Sequence, residues 1–197
     1  MSVVDSYINL AGRDLQGYEL GFQYRGPQTR LGRFSFGGDA THYLLRRSQT
    51  NPTTPVLDEL ERNGRVAWRA TANLSWRKGA WGAGWFTSYF DSFVDTGAET
   101  TAQIYAALGG PDYIRAFNDN GVTRYLLLVR PAWQHNAWVS YRIERWAPAW
   151  LRGTTARLGV NNVLDTDPPL SSDQYGFRTG SANPRGRQFT LELARKF

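Results

Sequence analysis

The sequence has no cysteine, which excludes disulfide staples, thiolate metal sites and cysteine nucleophiles and leaves the compartment open. Histidine is nearly absent too. His42 and His135 are the only two, on different predicted strands and without an evident partner, so neither a zinc site nor a histidine acid–base pair is expected. No long hydrophobic run occurs. The longest aliphatic-aromatic stretch is Tyr125–Val129, far short of the roughly 18 residues of a membrane helix. The opening stretch "MSVVDSYINLAGRDLQGYEL" lacks a basic start followed by an apolar segment, so it encodes no secretory signal. Either the protein is cytosolic or its targeting segment lies elsewhere. No catalytic group and no metal or cofactor site is expected.

What is present is aromatic and polar at once. Aromatics make up 14% of the 197 residues, with 8 Trp, 10 Tyr and 10 Phe, yet mean hydropathy is −0.49 and 20% of residues are charged. That combination suggests alternation rather than continuous apolar segments. The net charge is +6, but the arginines are dispersed at alternating positions. Dispersion argues against nucleic acid as a partner and fits a basic lumen or contact with an anionic surface such as lipopolysaccharide.

Period-two patterning recurs along the chain. In "RVAWRATANLSWRK", Val66, Trp68, Ala70, Ala72, Leu74 and Trp76 share one face, while Arg65, Arg69, Thr71, Asn73, Ser75 and Arg77 share the other. Similar strands are predicted at Tyr18–Arg25, Leu31–Leu44, Trp81–Val94, Trp133–Glu144, Thr154–Leu164 and Gly186–Phe197, with Val3–Asn9 as the tail of another. Several exceed the ~5–6 residues usual in globular proteins. The connections alternate between short ("GPQTR", "KGA", "APAWLRG") and long (Arg46–Gly64, Asp95–Ala132, Asp165–Arg185). An all-β antiparallel meander with turns at one end and long loops at the other follows from that rhythm.

Transmembrane β-barrels have this plan: short periplasmic turns, long extracellular loops, strands alternating apolar-out and polar-in. Lipid cannot satisfy a sheet edge, so the sheet closes and every second residue faces hydrocarbon. Trp76 and Trp81 bracket one short turn, Trp146 and Trp150 another, and Trp68 and Trp133 lie near the long-loop ends, as aromatic girdles require. In this register Phe189, Leu191, Leu193 and Phe197 form an apolar row on the last strand, read as an outer-membrane assembly signal. Arg195 departs from the row and is expected to snorkel.

The sequence at this point resembles the TonB-dependent receptors of the Gram-negative outer membrane. The resemblance rests on "LGVNNVLDTDPP" and "ANPRGRQFTLELARKF". Asn161, Asn162 and Asp165 match the corner after the next-to-last strand, and Gly186 and Arg187 match the opening of the last strand. "INLAGRDLQGYELGFQYR", with Asn9, Gly17 and Glu19, and "WQHNAWVSYRI" are similar to further parts of the family's barrel. The resemblance implies that residues 1–197 are the carboxy-terminal part of a receptor barrel of about seven strands, with plug domain and signal peptide absent.

It further implies energised uptake of a scarce ligand of the iron-siderophore, cobalamin or oligosaccharide class at the bacterial outer membrane, without covalent chemistry. Implied partners are outer-membrane lipid and lipopolysaccharide, the missing plug and remaining strands, the TonB complex through the missing part, and the barrel assembly machinery. The long loop containing Tyr105, Tyr113 and Phe117, together with Trp133, is the candidate ligand contact, set against ordinary loop packing. Arg65, Arg69, Asn73, Arg77, Arg142 and Arg157 are expected to line the interior, pairing with an acidic plug or with Glu19 and Glu192 across strands. Asp165 and Asp167 have metal-like spacing but lack the rest of a Ca²⁺ loop. Two other architectures fit less of the pattern: a complete small outer-membrane barrel acting as adhesin or structural protein, and a soluble carbohydrate-binding β-sandwich.

Overall fold

The computed structural model describes residues 12–119, 121–144, 147, 148, 150–178 and 184–195. In chain order they form β1 (Gly12–Arg25), β2 (Arg33–Gln49), β3 (Leu57–Asp58), β4 (Trp68–Lys78), β5 (Trp81–Phe90), β6 (Phe93–Thr100), α1 (Ala102–Ala107), β7 (Ile114–Asp119), β8 (Val122–Val129), β9 (Ala132–Arg142), β10 (Thr154–Asn161) and β11 (Gln188–Arg195). The fold is all-β. Strands β1, β2, β4, β5, β9, β10 and β11 are antiparallel neighbours in that order, and β3 pairs with the end of β2. These are the seven strands predicted from alternation. Among the described residues the sheet does not close, because β1 and β11 each have one neighbour.

Several boundaries differ from expectation. β2 extends to Gln49, β10 stops at Asn161 and β11 begins at Gln188. The stretch Trp81–Val94 is not one strand. It breaks at Asp91 and Ser92, where the Asp91 carboxylate accepts hydrogen bonds from Tyr89 Oη at 2.9 Å and Ser92 N at 2.7 Å. Asp95–Ala132 is not a plain loop, since β6, β8 and β7 make a second, three-stranded antiparallel sheet joined through α1. Val3–Asn9, Trp146 and Phe197 lie outside the described residues.

Register shows how the main sheet is built. Cross-strand partners point to the same side, and one side carries Phe34–Trp76, Phe36–Leu74, Ala40–Ala70, Leu74–Trp85, Ala83–Val139, Val139–Leu158 and Leu158–Leu191 as direct partners. This apolar side runs from Leu20, Phe22 and Tyr24 on β1 to Phe189, Leu191 and Leu193 on β11, with one polar pair set in it, the register partners Thr87 and His135, whose Oγ1 and Nδ1 lie 2.9 Å apart. Its side chains are exposed or half-buried, none fully buried: Leu20 keeps 69% of its accessible surface, Trp81 52% and Leu191 72%. The opposite side presents Gln23, Ser35, Thr71, Asn73, Ser75, Ser88, Gln134, Asn136, Ser140 and Thr190, interrupted by Phe86, Phe90 and Trp138.

The apolar side is bordered by aromatic pairs at both ends. At the short-turn end Phe34 partners Trp76 and Trp81 partners Tyr141; at the long-loop end His42 partners Trp68 and Tyr89 partners Trp133. Trp81 and Tyr141 lie 4.6 Å apart, His42 stacks on Trp68 at 4.0 Å, and Tyr89 meets Trp133 at 4.5 Å. Within β2, β4, β5 and β9 the two rows are eight residues apart, about 26 Å along the strand.

The sheet has no core of its own; the long connections do. Val66, Phe93 and Val129, each at most 3% exposed, form a cluster with Phe90 against it, and Val94 and Leu126 are fully buried beside them in the small sheet. The three long connections are tied together. Asn63 donates from its backbone to Val94 O at 3.0 Å and from Nδ2 to Thr96 Oγ1 at 2.7 Å, while Asp95 accepts Ser172 N at 2.6 Å and Ser172 Oγ at 2.9 Å. They make one folded cap over one end of the sheet.

Candidate functional site

The corner residues come together. Asn162 adopts a left-handed φ of 53° at the end of β10, a conformation asparagine tolerates better than most residues. It is 5% exposed, and its side chain is used on both atoms: Nδ2 donates to Thr166 O at 3.0 Å, while Oδ1 accepts Thr166 N and Oγ1, each at 3.0 Å. Its backbone N–H donates to Asn136 Oδ1 of β9 at 2.9 Å. Asn161 pairs with Gln188 at the start of β11. Asp165, also left-handed at φ 55°, accepts Arg187 N at 2.7 Å. Gly186 has φ 63°, and a Cβ there would press on the Asp165 carboxylate at 3.3 Å. The five motif residues thus form a clasp across β9, β10 and β11. Asp165 serves as its latch; among the described residues no group of three or more His, Asp or Glu gathers as a metal site.

On β11, Phe189, Leu191 and Leu193 share the apolar side opposite Val160, Leu158 and Ala156. Arg195 continues their row, and its guanidinium donates to Trp150 O at 2.6 Å, reaching the short turn instead of lying on the apolar face. Of the earlier motif, Gly17 sits at a register break between β1 and β2, where a Cβ would collide with the His42 carbonyl, and Glu19 faces Thr41. Asn9 lies outside the described residues.

The four aromatics expected to form one ligand contact lie on different elements. Tyr105 lies on α1 and packs on Tyr125 at 4.8 Å; Phe117 lies on β7 beneath the Arg62 guanidinium at 4.7 Å. Trp133 is not a loop residue but part of β9 and the upper aromatic row. Tyr113, before β7, is exposed. Tyr105 and Phe117 are packing residues, which leaves Tyr113 as the accessible aromatic of that loop set.

An ion network that alternation could not reveal stiffens the cap. Asp119 accepts Arg62 at 2.9 Å and Arg124 at 3.0 Å, and Arg124 forks onto both oxygens of Glu99. The hydrogen bond from Arg124, then that from Arg62, holds the Asp119 carboxyl below its ordinary value against the opposing effect of burial. Arg124 lowers Glu99 in the same way, and its own pKa is pushed up by Glu99 first and Asp119 second. Beside it Glu61 meets Arg115 at 3.5 Å.

The arginines expected to line one interior divide into two groups. Arg65 pairs with Glu59 at 3.1 Å within the cap, and Arg69 lies over the Phe90 ring at 4.9 Å near it. Arg77, Arg142 and Arg157 sit with Asn73 on the polar side of the sheet. Arg157 faces Glu192 in register and stacks on Trp138 at 4.1 Å. Neither Glu19 nor Glu192 forms an ion pair with them among the described residues. Compared with protein families, with curated proteins and with solved structures, the chain matches none.

Proposed function

We propose that this chain is a segment of an outer-membrane β-barrel of the TonB-dependent receptor kind, which takes up a scarce ligand of the iron-siderophore, cobalamin or oligosaccharide class. The observation that carries the reading is the solvent-accessible, predominantly apolar side that spans seven antiparallel neighbours and is bordered by aromatic rows. Soluble monomers seldom expose apolar patches beyond a few hundred Å², and this side, six strand spacings wide and about 26 Å along the strands, covers roughly 750 Å². Hydrocarbon accommodates it: the two rows stand about 26 Å apart along the strand and so about 20 Å apart in height at the tilt usual for barrels, comparable with an outward apolar band ~25 Å tall flanked by aromatic girdles.

The polar side then faces the lumen and the cap lies at the extracellular end, where Tyr113 is placed to meet ligand. The two edges, β1 and β11, favour a segment of a larger barrel over a complete small one, since lipid tolerates no open edge and large outer-membrane transporters use 22 strands. The clasp of Asn161, Asn162, Asp165, Gly186 and Arg187 supports the receptor family over other barrels. Lipopolysaccharide, the barrel assembly machinery, a plug and the TonB complex are the partners this reading brings.

The test combines location with energetics. Fractionation of the native host should recover the protein in the outer membrane. Deleting its gene should abolish uptake of one labelled ferric siderophore, cobalamin or oligosaccharide, and collapsing the proton gradient should abolish the same uptake. Recovery in the soluble fraction, or uptake untouched by both deletions of gene and gradient, would sink the proposal.

A further inference from the structure

The polar side of the sheet is electrostatically unbalanced at the short-turn end. Arg25, Arg33, Arg77, Arg142 and Arg157 stand there against Glu192 on the strands and Glu144 on the turn after β9, and among the described residues none of the five makes an ion pair. Arg33 and Arg77 are direct cross-strand partners, an arrangement of like charges that by itself opposes pairing. Following register outward, Arg77 faces Gly82, Gly82 faces Ser140, and Ser140 faces Arg157.

Gly82 leaves the middle of that row without a side chain. A groove of ≈ 370 Å³ opens over it, lined by Arg77, Trp138, Ser140, Arg142, Arg157 and Glu192. Trp138 lies across the glycine backbones: a Cβ on Gly82 would come 3.3 Å from its ring, and one on Gly84 would overlap the indole. The Arg157 guanidinium rests over that ring at 4.1 Å. Stacking holds the fork in place before any ligand arrives, which lowers the ordering cost of binding.

We infer that this groove is a binding site for a small polyanion, a ligand bearing two or more carboxylate or phosphate groups. The guanidinium forks of Arg77, Arg142 and Arg157 donate paired hydrogen bonds to its oxygens. The volume suits a small molecule, and the backbones of β4 and β10, three strand spacings or roughly 14 Å apart, set the cations on either side of it. The site requires only the polar side of the sheet and so is independent of the membrane reading.

Isothermal titration at fixed ionic strength tests it, using citrate and pyrophosphate as probes on the purified protein in whichever detergent or buffer its fractionation recovers it. At least one probe is expected to bind saturably, citrate marking the carboxylate class and pyrophosphate the phosphate class. Arg77→Gln and Arg142→Gln should each weaken that binding about tenfold or more. Arg77→Lys, which keeps the charge but not the fork, should fall between and serves if Arg77→Gln fails to fold. Arg25→Gln, outside the groove, should change affinity by no more than about twofold, as screened distant charges do. Absence of saturable binding overturns the site, as does an Arg25→Gln effect equal to that of Arg77→Gln. Recovery of the protein without detergent would count against the membrane proposal and leave this titration in force.

Discussion

Replacing Ala72 with arginine puts a guanidinium midway between the aromatic rows of the apolar side. Ala72 lies four residues from Trp68 and four from Trp76. That is about 13 Å along the strand from each, or about 10 Å of depth at the tilt usual for barrels. The site is exposed and its register partners are Gly38 and Thr87, so an arginine there meets little steric resistance. In water such a surface change costs within about 0.5 kcal/mol. In hydrocarbon the same change costs about 2–4 kcal/mol at the midplane, which shifts the unfolding equilibrium by a factor of about 30 to 1,000. The control is Thr71→Arg, one residue away on the polar side beside Asp39, expected to cost less than about 0.5 kcal/mol. Ala70→Arg, nearer the Trp68 row, should fall between the two. Guanidinium titration of the assembled protein in phosphatidylcholine vesicles, followed by tryptophan fluorescence, measures all three. Equal values for Ala72→Arg and Thr71→Arg would refute lipid exposure of this side.

Three further outcomes follow from the geometry. Asn162→Ala removes the hydrogen bonds to Thr166 and leaves a Cβ-bearing residue at φ 53° without its amide; it should destabilise by about 2–4 kcal/mol, with Asn162→Gly milder, as read by thermal unfolding. Gly84→Ala forces Trp138 off its glycine shelf, costing about 1–3 kcal/mol and shifting the tryptophan emission. The Asp119 carboxyl has a folded pKa below its ordinary 3.8, so the stability it lends the cap is present above that value and lost as pH falls through the folded pKa. Amide protection factors in β7 and β8, which correct for the intrinsic pH dependence of exchange, should therefore fall only in that acid range, and Asp119→Asn should lower them at neutral pH.

Alternation made the main sheet legible because each strand there has one wet and one apolar side, and a period of two records that directly. The cap obeys different physics. In β8 Leu126 and Val129, on opposite faces, are buried and Tyr125, Leu127 and Leu128 half-buried, so its Tyr125–Val129 run shows no alternation. A short continuous apolar run is the signal of such a strand, although weighed only against membrane-helix length it reads as a non-event. Phe93 and Val94 continue the spacing of β5 in sequence, but Asp91 turns the chain and sends both into the cap core. Asn161, Asn162 and Asp165 were singled out only through the resemblance to a receptor family. The clasp's joining of three strands was not legible, since left-handed φ values and side-chain-to-backbone bonds leave no periodic trace. The arginines divided because Glu59, on the connection just before β4, claims Arg65, and Phe90, at the far end of the neighbouring β5, claims Arg69, and neither contact follows from alternation.

Lipid contact by the apolar side is tested most directly by spin labels placed singly at every position from Trp68 to Lys78 in the vesicle-assembled protein. Labels at 70, 72 and 74 are predicted to collide with oxygen dissolved in hydrocarbon and to be shielded from a water-soluble nickel complex, with the reverse at 71, 73 and 75. Uniform access of the nickel complex along β4, without the two-residue alternation, would contradict it.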